Sequence, residues 1–141
     1  MATNTSNDPR LTALGVWAET ILNEKRIELD KGFESVSDDA SFRRYFRATH
    51  AAGSIIGVDA PPDKEDNASF LKIQALLANG GLGVPEVLGA SLEQGFLLLS
   101  DLGDELLLPV LKASPAEAQV KLYKTAMKCL EQIADVPAED I

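Results

Sequence analysis

The sequence predicts an α+β fold: a five-stranded antiparallel sheet with a helix inserted after the third strand, plus N-terminal and C-terminal helices. Three observations predict it. Apolar residues recur at helical spacing in three places. Short alternating or continuous apolar runs of strand length lie between them. Gly, Pro, Asp and Ser punctuate the joins. The 141 residues, 45% hydrophobic and 25% charged, have the balance of a globular chain of one-domain size.

The elements follow in order. Met1 to Asp8 is polar and is expected to fray. Asp8-Pro9 starts the first helix, with Asp8 as N-cap and proline at the first helical position. Leu11, Leu14, Ala18, Ile21 and Leu22 form its apolar stripe, with Trp17 beside it as a core anchor. Lys25 and Arg26 suit its C-terminal dipole, and Lys31-Gly32 is expected to break it. Phe33 to Ser37 reads as the first strand and Ser37 to Ser41 as a turn of small and acidic residues. In the returning strand, Phe42 to Thr49, the period of two puts Phe42, Arg44 and Phe46 on one face and Arg43, Tyr45 and Arg47 on the other. His50 to Gly53 turns the chain into a third strand, Ser54 to Ala60, which Pro61-Pro62 ends.

Asp66 to Asn79 reads as the inserted helix, with Phe70, Ile73, Leu76 and Leu77 on its apolar face and Gly80-Gly81 as its stop. Val87 to Ser91 and Phe96 to Ser100 read as a hairpin around Glu93-Gln94-Gly95. Glu105 to Lys112 is a short helix. Ser114-Pro115 with Glu117 opens the last helix, with Ser114 as cap and Leu122, Ala126, Cys129, Leu130 and Ile133 as its buried stripe. The expected organisation is a tail and helix at residues 1–31, a sheet lobe at 32–104, and following helices at 105–141.

Charge and composition exclude several functions. A formal net charge of -9 argues against a nucleic-acid partner, since a phosphate backbone needs a basic surface. Arg43, Arg44 and Arg47 read as local chemistry or a solvated strand face. One cysteine, Cys129, allows no internal disulfide, and with one histidine, His50, the chain has no zinc set of the usual kind. MATNTSNDPR lacks the basic and apolar regions of a signal peptide, and no apolar run is long enough to span a bilayer. The expected location is the cytoplasm, with no membrane partner.

Three segments could carry chemistry. The turn Ser37, Asp38, Asp39, Ala40 and Ser41 has side chains small enough for backbone N–H groups to approach a phosphate chain, although Asp38 and Asp39 would repel one unless they point away or meet magnesium; the plainer reading is an ordinary hairpin turn. On the third strand, Gly57 could lie against an adenine ring, and Asp59 then stands where protein kinases carry a phosphate-binding lysine. An acid there could pair with Arg44 or Arg47, help to hold a metal, or merely end the strand. Finally, Ser100, Asp101 and Leu102 end an apolar strand whose backbone could hydrogen-bond an adenine, with Gly103 letting the chain leave; a core strand followed by a turn reads the same way. Asp59 and Asp101 are expected to line one hollow. No Walker A sequence is present, and Gly81-Leu82-Gly83 lacks the third glycine of a dinucleotide fingerprint, having Glu86 there.

Together SDDASFRRYFR (Ser37 to Arg47), GVDAPPDKED (Gly57 to Asp66), FLKIQALLANGGLGVPEVL (Phe70 to Leu88) and GFLLLSDLGD (Gly95 to Asp104) resemble the aminoglycoside phosphotransferase superfamily. Within it they are most similar to the bacterial N-acetylmuramate/N-acetylglucosamine anomeric kinases. The resemblance implies a protein-kinase-like N-terminal lobe and ATP- and magnesium-dependent phosphoryl transfer to a sugar hydroxyl. It places Ser37 to Ser41 over the phosphates and Ser100 to Leu102 beside the adenine. It also implies that the third-strand lysine is absent, which fits Asp59.

The family's catalytic aspartate lies in a His-x-Asp loop, followed by an asparagine and a metal-binding aspartate. His50-Ala51-Ala52 is not that loop, so no catalytic or magnesium residue is assigned here. A chain with this lobe alone is expected to be silent in catalysis. The alternative is a non-catalytic binding or scaffold module that pairs with a partner chain or with itself. In either case Leu106 to Leu111 and the last helix are expected to expose an apolar docking surface.

Overall fold

The computed structural model describes residues 7–36 and 41–137. They fall into two compact units, Met1–Ala68 with Pro85–Asp101 and Ser69–Val84 with Leu102–Ile141.

In the first unit, α1 (Pro9–Glu24) begins where its sequence demands. Asp8 has extended backbone, and its Oδ1 accepts the N–H groups of Arg10 and Leu11, both at 3.1 Å. The helix stops well before Lys31-Gly32. Arg26 takes the left-handed region at φ 58°, the N–H of Ile27 returns to the carbonyl of Leu22, and that of Arg26 to Asn23. This is a Schellman stop with an arginine where glycine is usual. Ile27 packs on the cluster containing Leu22, which supplies the apolar contact that such a stop favours.

The strands are β1 (Glu34–Ser35), β2 (Arg44–His50), β3 (Gly53–Asp59), β4 (Val87–Ser91) and β5 (Phe96–Ser100). All neighbours are antiparallel, in the order β1-β2-β3-β5-β4. The inserted helix, α2 (Asn67–Asn79), separates β3 from β4 in sequence, so β5 and not β4 pairs with β3. The result is an α+β fold consistent with a kinase-like N-terminal lobe.

Helix α1 lies on one face of this sheet. Leu14, Ala18 and Leu22, all buried, meet Phe46, Ala48, Ile55, Phe96 and Leu98, with Trp17 tilted against Phe96 at 5.8 Å. The approach is close enough to need small residues. A Cβ on Gly57 would sit 2.9 Å from Cε1 of Phe33 and 3.2 Å from Cδ2 of Leu14.

The second unit is helical. Gly81, at φ 83°, ends α2 as expected. A short α3 (Leu107–Ala113) leads into α4 (Ala116–Ala134). Ser114 does not cap α4: its hydroxyl donates to the carbonyl of Val110, and the side-chain amide of Gln119 closes the joint by donating to Leu111 and Ser114. The expected buried stripe of α4 is not buried: Leu122 and Ala126 are half-buried, and Cys129, Leu130 and Ile133 are exposed. No helix among the described residues is long and apolar enough to cross a membrane.

Candidate functional site

Strand parity sorts the candidate residues onto the two faces of the sheet. Arg44, Phe46, Gly57 and Asp59 share the face that α1 covers. Arg47, Ser54, Ile56, Val58, Leu97 and Leu99 lie on the other, aligned by the pairs Arg47↔Ile56, Ile56↔Leu99 and Val58↔Leu97.

On the α1 face, Asp59 is 1% exposed. Arg10 donates Nε–H to its Oδ1 at 2.7 Å, and Arg44 donates from Nε and Nη2 to its Oδ2 at 3.0 and 2.6 Å. Arg44 also reaches Asp8, Nη1 to Oδ2 at 2.5 Å, and Arg10 donates to the carbonyl of Gln94 at 2.7 Å. One buried carboxylate therefore ties the start of α1, β2, β3 and the β4–β5 turn together. Of the two arginines considered for Asp59, Arg44 is the partner. Gly57 meets Phe33 and Leu14, so its open side is filled by side chains and leaves no room for a ring.

The expectation that Asp59 and Asp101 line one hollow fails for two reasons. Asp59 pairs with Phe96 at the start of β5, whereas Asp101 follows its end. Asp59 also faces α1, while Asp101 is held by residues of the opposite face. Arg47 donates to Asp101 from Nε at 2.6 Å and from Nη2 at 3.2 Å, and Ser54 donates its hydroxyl at 2.7 Å. Ser100 is fixed to Glu86, donating N–H at 2.9 Å and accepting at its hydroxyl at 2.8 Å. Leu102 is 68% exposed, and the hydroxyl of Ser41 accepts from the N–H of Arg43 at 3.1 Å. Ser37, Asp38, Asp39 and Ala40 lie outside the described residues.

Sequence reasoning missed Arg10 and Ser54 as network members, and it offered Arg47 to Asp59 where the structure pairs it with Asp101. The partners of Arg10, Arg47 and Ser54 lie 49, 54 and 47 residues away, so local spacing carried no signal of them. The opposite parity of Arg44 and Arg47 was a usable one.

The hydrogen bond from Arg44, followed by those from the backbone of Leu11 and Arg10, holds the Asp8 carboxyl below its ordinary 3.8, against the opposing effect of burial. The same pairing, first with Asp8 and then with Asp59, holds Arg44 above the usual guanidinium range. Because the folded pKa of Asp8 is depressed, its contribution to stability is fully present above its unfolded value and is lost as pH falls through the folded one. Acid unfolding as pH falls below the ordinary 3.8 should therefore become shallower in Asp8→Asn, with little change at pH 7 in the slope of stability against pH.

These carboxylates do not fit a magnesium site. The oxygens of Asp59 and Asp101 are already engaged by arginines, and no group of three or more His, Cys, Asp or Glu among the described residues could hold a metal.

Similarity to known proteins bears on this geometry. The chain is 40% identical over 133 residues to an N-acetylmuramate/N-acetylglucosamine kinase of Pseudomonas aeruginosa, which covers 89% of this chain and 38% of that protein. It is 36% identical over 139 residues to the kinase of that name from Pseudomonas putida, covering 94% and 40%. A third, from Neisseria meningitidis serogroup B, is 39% identical over 106 residues, 74% of this chain and 30% of that protein. The chain thus spans about two fifths or less of the length of these relatives. The model of the phosphotransferase enzyme family (APH) matches residues 32–141, well over half of the chain, and the chain belongs to that family.

Proposed function

We propose that this chain is the nucleotide-clamping lobe of an ATP-dependent phosphotransferase acting on a sugar hydroxyl, with an N-acetylated amino sugar as the acceptor class, as in the relatives' names. The observation that carries the reading is the strand end on the sheet face opposite α1. Val58, Leu97 and Leu99 of that face are buried and Ile56 is half-buried, so the ring is expected at the end of β5, where the backbone of Ser100 and Asp101 would meet its edge. In this reading Ser37 to Ser41 covers the phosphates. Arg44, Gly57 and Asp59 leave the binding set, because α1 occupies their face. Magnesium, where the family uses it, takes its ligands from other residues than these. The base that accepts the sugar's proton is likewise not assigned, since the one histidine, His50, ends β2 opposite Gly53. A cytoplasmic location fits a kinase that uses ATP.

Two measurements on the 141-residue chain test this. Displacement of a fluorescent ATP analogue should show binding, and a coupled assay with N-acetylmuramate, N-acetylglucosamine and aminoglycosides should show no turnover. Absence of nucleotide binding overturns the lobe assignment; turnover overturns the silent one.

The docking role rests on a separate observation. Val120, Tyr123, Met127, Leu130 and Ile133 of α4 are 47% to 65% exposed, an apolar stripe at helical spacing. We read it as the seat of further kinase polypeptide, of which the relatives have more than this chain. Met127→Glu with Leu130→Glu should leave the chain monomeric and folded. Wild-type dimers that this pair abolishes would instead support self-association as a scaffold module.

A further inference from the structure

A strand end is ordinarily the part of a sheet most free to fray. The end of β5 is held from both sides. Glu86 fixes Ser100 through two hydrogen bonds of 2.8 and 2.9 Å. From the other side, the fork of Arg47 engages both oxygens of Asp101, and Ser54 adds a third donor. The Asp101 side chain is 6% exposed and that of Arg47 24%, so the pairing is largely shielded from water. Three donors from two other strands are more than the β3–β5 ladder needs, since that ladder already ends at Ile55↔Ser100.

We propose that Arg47, Asp101 and Ser54 form a positioning device that fixes the backbone leaving β5 and thereby sets which purine the chain accepts. The proposal rests on the nucleotide reading above. Adenine presents a donor at N6 and an acceptor at N1, whereas guanine presents an acceptor at O6 and a donor at N1. A backbone edge matched to one pattern leaves its own N–H or C=O unpaired against the other, and such a mismatch discriminates strongly only if the edge cannot rotate to suit. The three side chains act through the backbone and need not touch the nucleotide.

The test is the ratio of ATP to GTP affinity, measured by displacement on the full chain alongside the melting temperature. Wild type should favour ATP by about tenfold or more. In Asp101→Asn and in the milder Ser54→Ala, ATP affinity should fall and the preference shrink to about threefold or less. Arg47→Lys keeps the charge but loses the fork, and should fall between these and wild type. Arg10→Gln cuts a network on the opposite face, and should lower the melting temperature with the ratio unchanged. If Asp101→Asn does not fold, Ser54→Ala decides.

An unchanged ratio in the Asp101 and Ser54 variants, with only their stability lowered, reduces the device to a structural pair and overturns the proposal. Equal affinity of wild type for ATP and GTP overturns it too, while the nucleotide reading stands. Wild type that binds neither nucleotide removes that reading first, before any variant is compared.

Discussion

Asp59→Ala is expected to lower stability by about 3 kcal/mol while leaving the affinity of the folded molecules for ATP unchanged. Both halves of this result follow from where the carboxylate lies. It is 1% exposed and receives hydrogen bonds from Arg10 and Arg44, so its removal leaves Arg10 without its carboxylate and the neighbouring Arg44 with Asp8 alone. Breaking a buried pair from one side costs about 3–5 kcal/mol. The low end applies here, because the side chains of Arg10 and Arg44 are 39% and 40% exposed and can rehydrate. Arg44→Leu should cost a similar amount by the opposite route, since it leaves Asp59 and Asp8 both short of a partner. Urea titration at pH 7 measures this: the midpoint should fall with the slope unchanged. A lysine-position role predicts the reverse, loss of ATP binding with stability intact, and that outcome would return Asp59 to the nucleotide site.

The contrast shows which parts of this protein could be read from its sequence. Element existence and order were legible because they depend on near neighbours: the Asp8 cap, the prolines after β3, the glycine at the end of α2 and the Glu93-Gln94-Gly95 turn all act over a few residues. The two faces of β2 were legible from alternation. Which face α1 would cover was not, because that depends on how distant segments pack. Reading Gly57 as a small residue made to admit a ring was chemically sound, but Leu14 and Phe33 use the same smallness. The early stop of α1 was hidden because its signal is usually a glycine, and Arg26 takes that conformation here. The α4 stripe was legible as apolar, yet periodicity cannot say whether a neighbour covers it.

The second large effect belongs to a residue far from any chemistry. Gly95→Ala should destabilise by about 3 kcal/mol, for two reasons that add. Gly95 holds φ 76°, a region that costs an L-residue about 1–2 kcal/mol. Its Cβ would also fall 2.3 Å from the carbonyl oxygen of Ala60 and 2.7 Å from Cδ of Pro62. Backbone cannot rotate aside as a side chain can. The turn must therefore lift, which strains the Ala60 N–H bond to the Gly95 carbonyl, 2.8 Å long. Gly89→Ala is the instructive comparison. Its Cβ would sit nearer than 3 Å to Cδ1 of Ile21, but that atom ends a flexible side chain and Gly89 has no left-handed backbone, so about 1 kcal/mol should suffice. Lifting the β4–β5 turn also moves the carbonyl of Gln94 from Arg10. The Gly95→Ala and Arg10→Gln losses should accordingly combine to less than their sum, by about 0.5 kcal/mol or more, when each is measured by urea titration. Full additivity would mean that the turn and the Asp59 network are held independently, so that the turn does not help to seat α1 on the sheet.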